Sequence, residues 1–299
     1  MEIAHARLSS LTRNFIVKYA DDIRFDYESY EPIDNNPDKH FFFQTIDRNN
    51  DRMQHLSLLA RLLILEENNG LADVRETDVM RLIDNYQVPD GIGNLAYEEQ
   101  PQARETLRNM RVFYEAFESD PMLNGEGLKE LRVEYFIISV YLLRHLRRHY
   151  VFDAAERDLF RKFVVDFHER WRARRSEDSD LLIFADSRQH NETDIRIRHQ
   201  ILRQLFFDYA SEQGHNMLTK DERRAFNEAE RIFVYRVDEG LCQACLEEGK
   251  SQVEARVPWR EYDADHVVPH AKGGPTDVMN AQVLCRYHNQ QKGASVPQG

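Results

Sequence analysis

The chain has 299 residues, 41% of them hydrophobic and 31% charged, a formal net charge of −12, and only 12 glycines and 9 prolines. That length suits about two domains with a real core, and the composition leans helical and excludes a disordered chain. The excess acid excludes a protein coated in positive charge for nucleic acid, but not one with a local basic groove.

The acid is concentrated early. Residues 1–140 hold 15 Lys and Arg against 26 Asp and Glu, residues 141–235 hold 18 against 17, and residues 236–299 hold 7 against 9. The opening segment MEIAHARLSS has no apolar core of the kind a leader carries. The longest apolar run, Tyr135 to Leu143, falls short of the roughly 20 residues a bilayer needs. A cytoplasmic, soluble protein with no membrane insertion is expected. All three cysteines, Cys242, Cys245 and Cys285, fall near the C-terminal end, and an odd, clustered set in such a chain points to metal more than to disulfides.

Helical periodicity dominates to about residue 237. Met53, Leu56, Leu59, Ala60, Leu63 and Ile64 make a first stripe, and Leu131, Tyr135, Ile138, Leu142 and Leu146 a second. Phe160, Phe163, Val164 and Phe167 make a third, and Ile201, Leu205, Phe206 and Tyr209 a fourth. These aromatics read as helix-bundle core rather than as a cofactor pocket. Turn residues cluster at Glu28–His40, Val88–Pro101, Ser119–Gly127 and Arg175–Glu192. Thr219-Lys-Asp-Glu222 reads as a capping box opening a last helix through Val237. The division expected is a helical domain over 1–237 and a small domain over 238–299, without a flexible linker between them. No GxxxxGK[ST] loop is present, so no nucleotide cofactor is expected.

Residues 141–175 carry ten Lys and Arg against five acids, including Arg144, Arg147, Arg148, Arg161, Lys162, Arg170, Arg172, Arg174 and Arg175. Arg196, Arg198 and Arg203 follow. This is either a groove for a nucleic-acid backbone or a solvated face laced with acids such as Glu156, Asp158 and Glu169. The acidic first half suggests a further idea, that it repels nucleic acid or occupies the basic groove.

The C-terminal segment reads Cys242-Gln-Ala-Cys245, then 39 residues, then Cys285-Arg-Tyr-His288. Two clamps of that spacing supply four ligands suited to tetrahedral structural Zn²⁺, the alternative being buried free thiols. Between the clamps lies Asp263-Ala-Asp265-His266-Val-Val-Pro-His270-Ala-Lys-Gly-Gly-Pro-Thr-Asp277-Val-Met-Asn280, and after them Asn289-Gln-Gln-Lys292-Gly.

This order of Asp-His, a Gly-Gly turn, a central Asn and Cys-x-x-His-Asn-x-x-Lys-Gly resembles the HNH endonuclease family, in its zinc-knuckle subgroup. The likeness covers only the C-terminal fifth of the chain, and one departure is His288 where the subgroup commonly has Cys. The fold it implies is mainly α, with a helical N-terminal region followed by a small C-terminal ββα-metal domain. It also implies a DNA endonuclease or nickase leaving 5′-phosphate and 3′-hydroxyl ends. His266 falls at the family's general-base position, where an imidazole titrating near neutrality takes a proton from water. Asp265 and Asn289 fall at its metal-ligand positions, and oxygen donors there suit Mg²⁺ or Mn²⁺. Asn280 falls at the central Asn, expected to bond backbone across the loop and hold the His266 ring. Lys292, Arg286 and Lys272, with Arg172, Arg174 and Arg175, are candidate phosphate contacts. Asp263 and His270 flank the site and either bind metal or support the loop, while Asp277 reads as a turn cap.

A helical front with a C-terminal HNH module also looks like bacterial anti-phage effectors, including the HNH component of some Zorya-type systems. That likeness brings other defence proteins in as partners beside DNA. Two alternatives stand next to the DNA nuclease: a non-catalytic zinc-stabilised nucleic-acid-binding module, and an RNA-cleaving HNH enzyme.

Overall fold

A computed structural model describes residues 10–26, 31–33, 35–45, 50, 53–85, 97–117, 133–174, 177–187 and 190–294. Its helices are α1 Leu11–Ala20, α2 Phe42–Thr45, α3 Gln54–Glu67, α4 Glu76–Asn85, α5 Pro101–Phe117, α6 Val133–His149 and α7 Ala154–Arg174. They continue with α8 Ser179–Asp186, α9 Glu192–Glu212, α10 Glu228–Val237, α11 Gln243–Glu247, α12 Gln252–Ala255 and α13 Arg286–Ala294. Strands β1 Arg24–Asp26 and β2 Glu31–Ile33 form one antiparallel pair, and β3 Tyr262–His266 and β4 Ala281–Cys285 another. The chain is therefore mainly α with a small C-terminal sheet. No described helix is long and apolar enough to cross a membrane.

Packing separates two units: the residues up to Arg144 with Leu159–Gln213, and His145–Asp158 with the residues from Gly214 onward.

In the first unit α3 is apolar nearly all round. Leu56, Leu58, Leu59, Ala60, Leu62, Leu63, Ile64 and Leu65 are all buried, which makes it a central helix rather than an amphipathic surface one. The predicted aromatic stripes supply the rest of the core. Phe113 meets Phe160 edge-on at 6.0 Å between ring centres, and Phe163 meets Phe206 at 5.3 Å. Ile138 and Leu142 are buried, as is Leu146, which belongs to the second unit, whereas the side chains of Leu131 and Tyr135 lie outside the described residues.

Helix starts follow side-chain caps. Ser10 accepts from Arg13 N ahead of α1, and Asn191 accepts from Asp194 N ahead of α9. Pro101 opens α5, where a missing N–H costs nothing. Two expectations change. The turn-rich stretch Arg175–Glu192 contains α8, because Asp178 caps the N–H groups of Asp180 and Leu181 instead of making a free turn. Within Glu28–His40, residues 31–33 form β2 against β1, a pairing too short to leave a periodic signal. Most of Val88–Pro101 and all of Ser119–Gly127 lie outside the described residues.

The capping box that opens the helix ending at Val237 is also not the expected one. Asn227 and Glu230 bond each other's backbone, and α10 begins at Glu228. Thr219 instead forms a bridge with Tyr150, extended by bonds from Val151 N to Leu218 O and from Lys220 N to His149 O, 2.8 Å each. Thr-Lys-Asp-Glu has the pattern of a box, but its backbone N–H and C=O groups are already drawn into a strand-like pairing.

From α10 the chain passes through Gly240, with φ +68°, into α11 and α12 and then β3. α10 packs on both β3 and β4, and α13 follows β4 directly to close a ββα unit. Its core is Val234, Leu241, Cys242, Cys245, Ala255, Val257, Tyr262, Val283 and Leu284.

Candidate active site and metal centre

The four clamp residues come together. Cys242 precedes α11, Cys245 lies in its first turn, Cys285 ends β4, and His288 stands in the first turn of α13. Their ligand atoms all lie within 4.8 Å of one another. His288 Nδ1 is 3.3 Å from Cys242 Sγ, 3.4 Å from Cys245 Sγ and 3.3 Å from Cys285 Sγ. Zinc bonds of about 2.3 Å to sulfur and 2.0 Å to nitrogen give a tetrahedral edge of about 3.5 Å, so the donor set fits that ion.

Burial pushes the Cys245 thiol up to about 11, helped by the neighbouring Cys242 and Cys285, so an ionised sulfur at that position calls for a cation beside it. On its far side His288 Nε2 lies 3.0 Å from Glu248 Oε1. That carboxylate holds the ring with Nδ1 turned to the sulfurs, as outer carboxylates commonly do for metal-binding imidazoles. No spacing signal in the sequence marks Glu248.

The other residues gather where β3 meets α13. Strand residues two apart share a face, and helix residues three apart share a face. Accordingly Asp263 Oδ2 accepts from Asn289 Nδ2 at 3.0 Å, and Asp265 Oδ2 from Lys292 Nζ at 2.5 Å. Lys292 also donates to the His266 carbonyl. It is thus engaged with the carboxylate of a predicted metal ligand, while Asn289 is engaged with Asp263. Arg286 and Lys272 are exposed.

His266 ends β3 and is only 8% exposed. Its Nε2 is 3.0 Å from Thr276 Oγ1, and its ring lies 4.6 Å from that of Phe226 and 5.7 Å from that of His270. Burial holds its pKa below the ordinary histidine value, with His270 acting the same way, Asp265 opposing, and Lys292 and Arg224 adding to the depression.

The loop after His266 is stapled by Asn280. Its Oδ1 accepts from Val268 N at 2.8 Å, and its Nδ2 donates to Val268 O at 3.1 Å and Pro275 O at 2.9 Å. Val267 N donates to Asn280 O at 2.8 Å. Gly274 is required by close approach, since a Cβ there would stand 1.9 Å from Val268 O. Asp277 Oδ1 accepts from Met279 N at 2.8 Å and caps the short turn before β4. His270 Nε2 donates to the Asp221 carbonyl at 2.8 Å.

The distant basic set is drawn partly into ion pairs. Arg144 makes a two-pronged pair with Glu66 at 2.6 and 3.1 Å, Arg170 lies 3.8 Å from Asp166, and Arg196 pairs with Glu192. The side chains of Arg172 and Arg174, and Arg175 altogether, lie outside the described residues.

No curated protein and no solved structure matches the chain. Residues 242–295, which span both clamps, His266 and the whole ββα unit, match the family model described as HNH endonuclease.

Proposed function

We propose that residues 238–299 form a metal-dependent HNH nuclease domain, and that the chain is a DNA endonuclease or nickase. The observation that carries this reading is the convergence on one ββα unit of a buried imidazole of lowered pKa with two carboxylates and a carboxamide. His266 takes a proton from the attacking water, because a neutral imidazole persists there at physiological pH. Asn280 keeps the ring aimed by fixing the loop that follows it.

Asp265 and Asn289, with Asp263 beside them, would hold Mg²⁺ or Mn²⁺. That the Lys292 ammonium lies against Asp265 supports a site that accepts positive charge. When bound, such an ion stabilises negative charge on the phosphate and the leaving oxygen. Arg286 and Lys272 are exposed for backbone phosphates. Cys242, Cys245, Cys285 and His288 hold a structural Zn²⁺ that ties α11 to α13.

DNA as the substrate, and anti-phage defence with other defence proteins as its setting, follow from the resemblance of a helical front joined to a C-terminal HNH module. The binding-module alternative loses ground, since the residues it would have no use for are all present, Asp265 and His266 on β3 and Asn289 on α13, which packs on that strand.

The test is cleavage of supercoiled plasmid by wild type and His266→Ala with Mg²⁺, Mn²⁺ or EDTA. Metal-dependent nicked or linear product, reduced at least about 100-fold in the variant, is expected. Equal cleavage by the variant overturns the assignment of His266. Folded wild type that binds DNA and cuts neither DNA nor a matched RNA duplex under any metal supports the binding module instead.

A further inference from the structure

The segment from Thr219 to Asn227 lies outside the family match, yet it runs against the loop that carries His266. Asp221 Oδ2 accepts from Thr276 N at 2.9 Å, and the Asp221 carbonyl accepts from His270. The Arg223 guanidinium donates to the Thr276 carbonyl, and the Thr276 hydroxyl donates to the Arg223 carbonyl. Phe226, 9% exposed, covers the His266 ring. Thr276 is thus clasped on both its backbone groups and its side chain, and it is 1% exposed.

This clasp has a consequence for the imidazole. A hydroxyl has one proton to give, and a carbonyl has none. With the Thr276 proton committed to the Arg223 carbonyl, the bond between Thr276 Oγ1 and His266 Nε2 requires the proton to sit on Nε2. Were the hydroxyl turned to the imidazole instead, two oxygens would face each other at close range with no hydrogen between them.

We propose that Thr276 is a positioning residue for His266. Held by the Asp221–Phe226 strap, its hydroxyl accepts from Nε2–H of His266 and leaves Nδ1 as the ring's basic nitrogen. The strap thereby belongs to the catalytic apparatus although it precedes the matched HNH segment, which begins at Cys242. This deepens the reading of His266 as general base and rests on it.

The experiment uses the full chain. Long-range ¹⁵N–¹H correlation of the imidazoles, with His266 assigned by the signal lost in His266→Ala, reports which nitrogen carries the proton. Nε2–H is expected in the wild type. Thr276→Val keeps the shape and removes the acceptor. It is expected to release the tautomer and lower kcat by about 100-fold with KM unchanged, since a misaimed group costs that much. Thr276→Ser is expected to restore both. A wild-type ring protonated on Nδ1, or Thr276→Val with wild-type tautomer and kcat, overturns the proposal. If the wild type cuts nothing, the nuclease reading fails while the tautomer still decides the clasp. If the valine variant does not fold, the wild-type and serine tautomers decide it.

Discussion

The base proposed at His266 must stay neutral in a place crowded with charge. Burial is the largest influence on it, and His270, Lys292 and Arg224 act in the same direction against Asp265. Its depressed pKa means the neutral form survives to lower pH than in a free histidine. Cleavage should therefore hold constant as pH falls to the ordinary histidine value and decline only below it. A pH series of initial rates checks this, and a decline beginning clearly above that value would contradict it. The same scale shows why the basic residues mislead as a set. By sequence Arg144 belongs with the candidate DNA-facing arginines, but it makes a bidentate pair with Glu66 in which the two side chains are only 10% and 13% exposed. A charged residue counted on a line of sequence carries no record of its partner 78 residues away.

Among the elements, the ββα unit is legible because its chemistry sits in order along one short stretch. Clamp spacing marks Cys242, Cys245, Cys285 and His288, and all four meet. The apolar stripes of α6, α7 and α9 are legible because 3.6-residue periodicity survives wherever one helix face is buried, and α3 is legible as a run of apolar residues long enough for a helix. What is not legible depends on pairing across distance. The bridge from Tyr150 to Thr219 disguises an extended segment as a capping box, and Thr276 and Phe226 meet His266 through contacts that no local spacing records. The zinc-type centre supports a prediction about elements. α11 and α13 are short, and their common anchor is the four-ligand cluster. Cys285→Ser, or dialysis of the wild type against a strong chelator, should release about one Zn²⁺ per chain by a colorimetric zinc assay and lower the unfolding temperature of the nuclease unit. Retention of full thermal stability after metal removal would show that the apolar core suffices.

For the whole molecule, the first unit is discontinuous in sequence, and its core joins both pieces, as in the contact of Phe113 and Phe117 with Phe160. Removing residues 1–140 therefore does more than strip acid from the chain. It uncovers Phe160 and its neighbours, and the remainder is expected in the insoluble fraction after expression, without a cooperative melt by circular dichroism. A soluble, cooperatively melting remainder would show that the later helices hold a core alone and would reopen the idea that the acidic half restrains cutting by charge. The interleaving also sets an order in time. Cys242 and His288 are 46 residues apart, so the ribosome, at roughly 5–20 residues per second, presents the last ligand about 2–9 seconds after the first. Within that interval His266 emerges ahead of α13, so Asp263 and Asp265 wait for the helix that brings Asn289 to the one and Lys292 to the other.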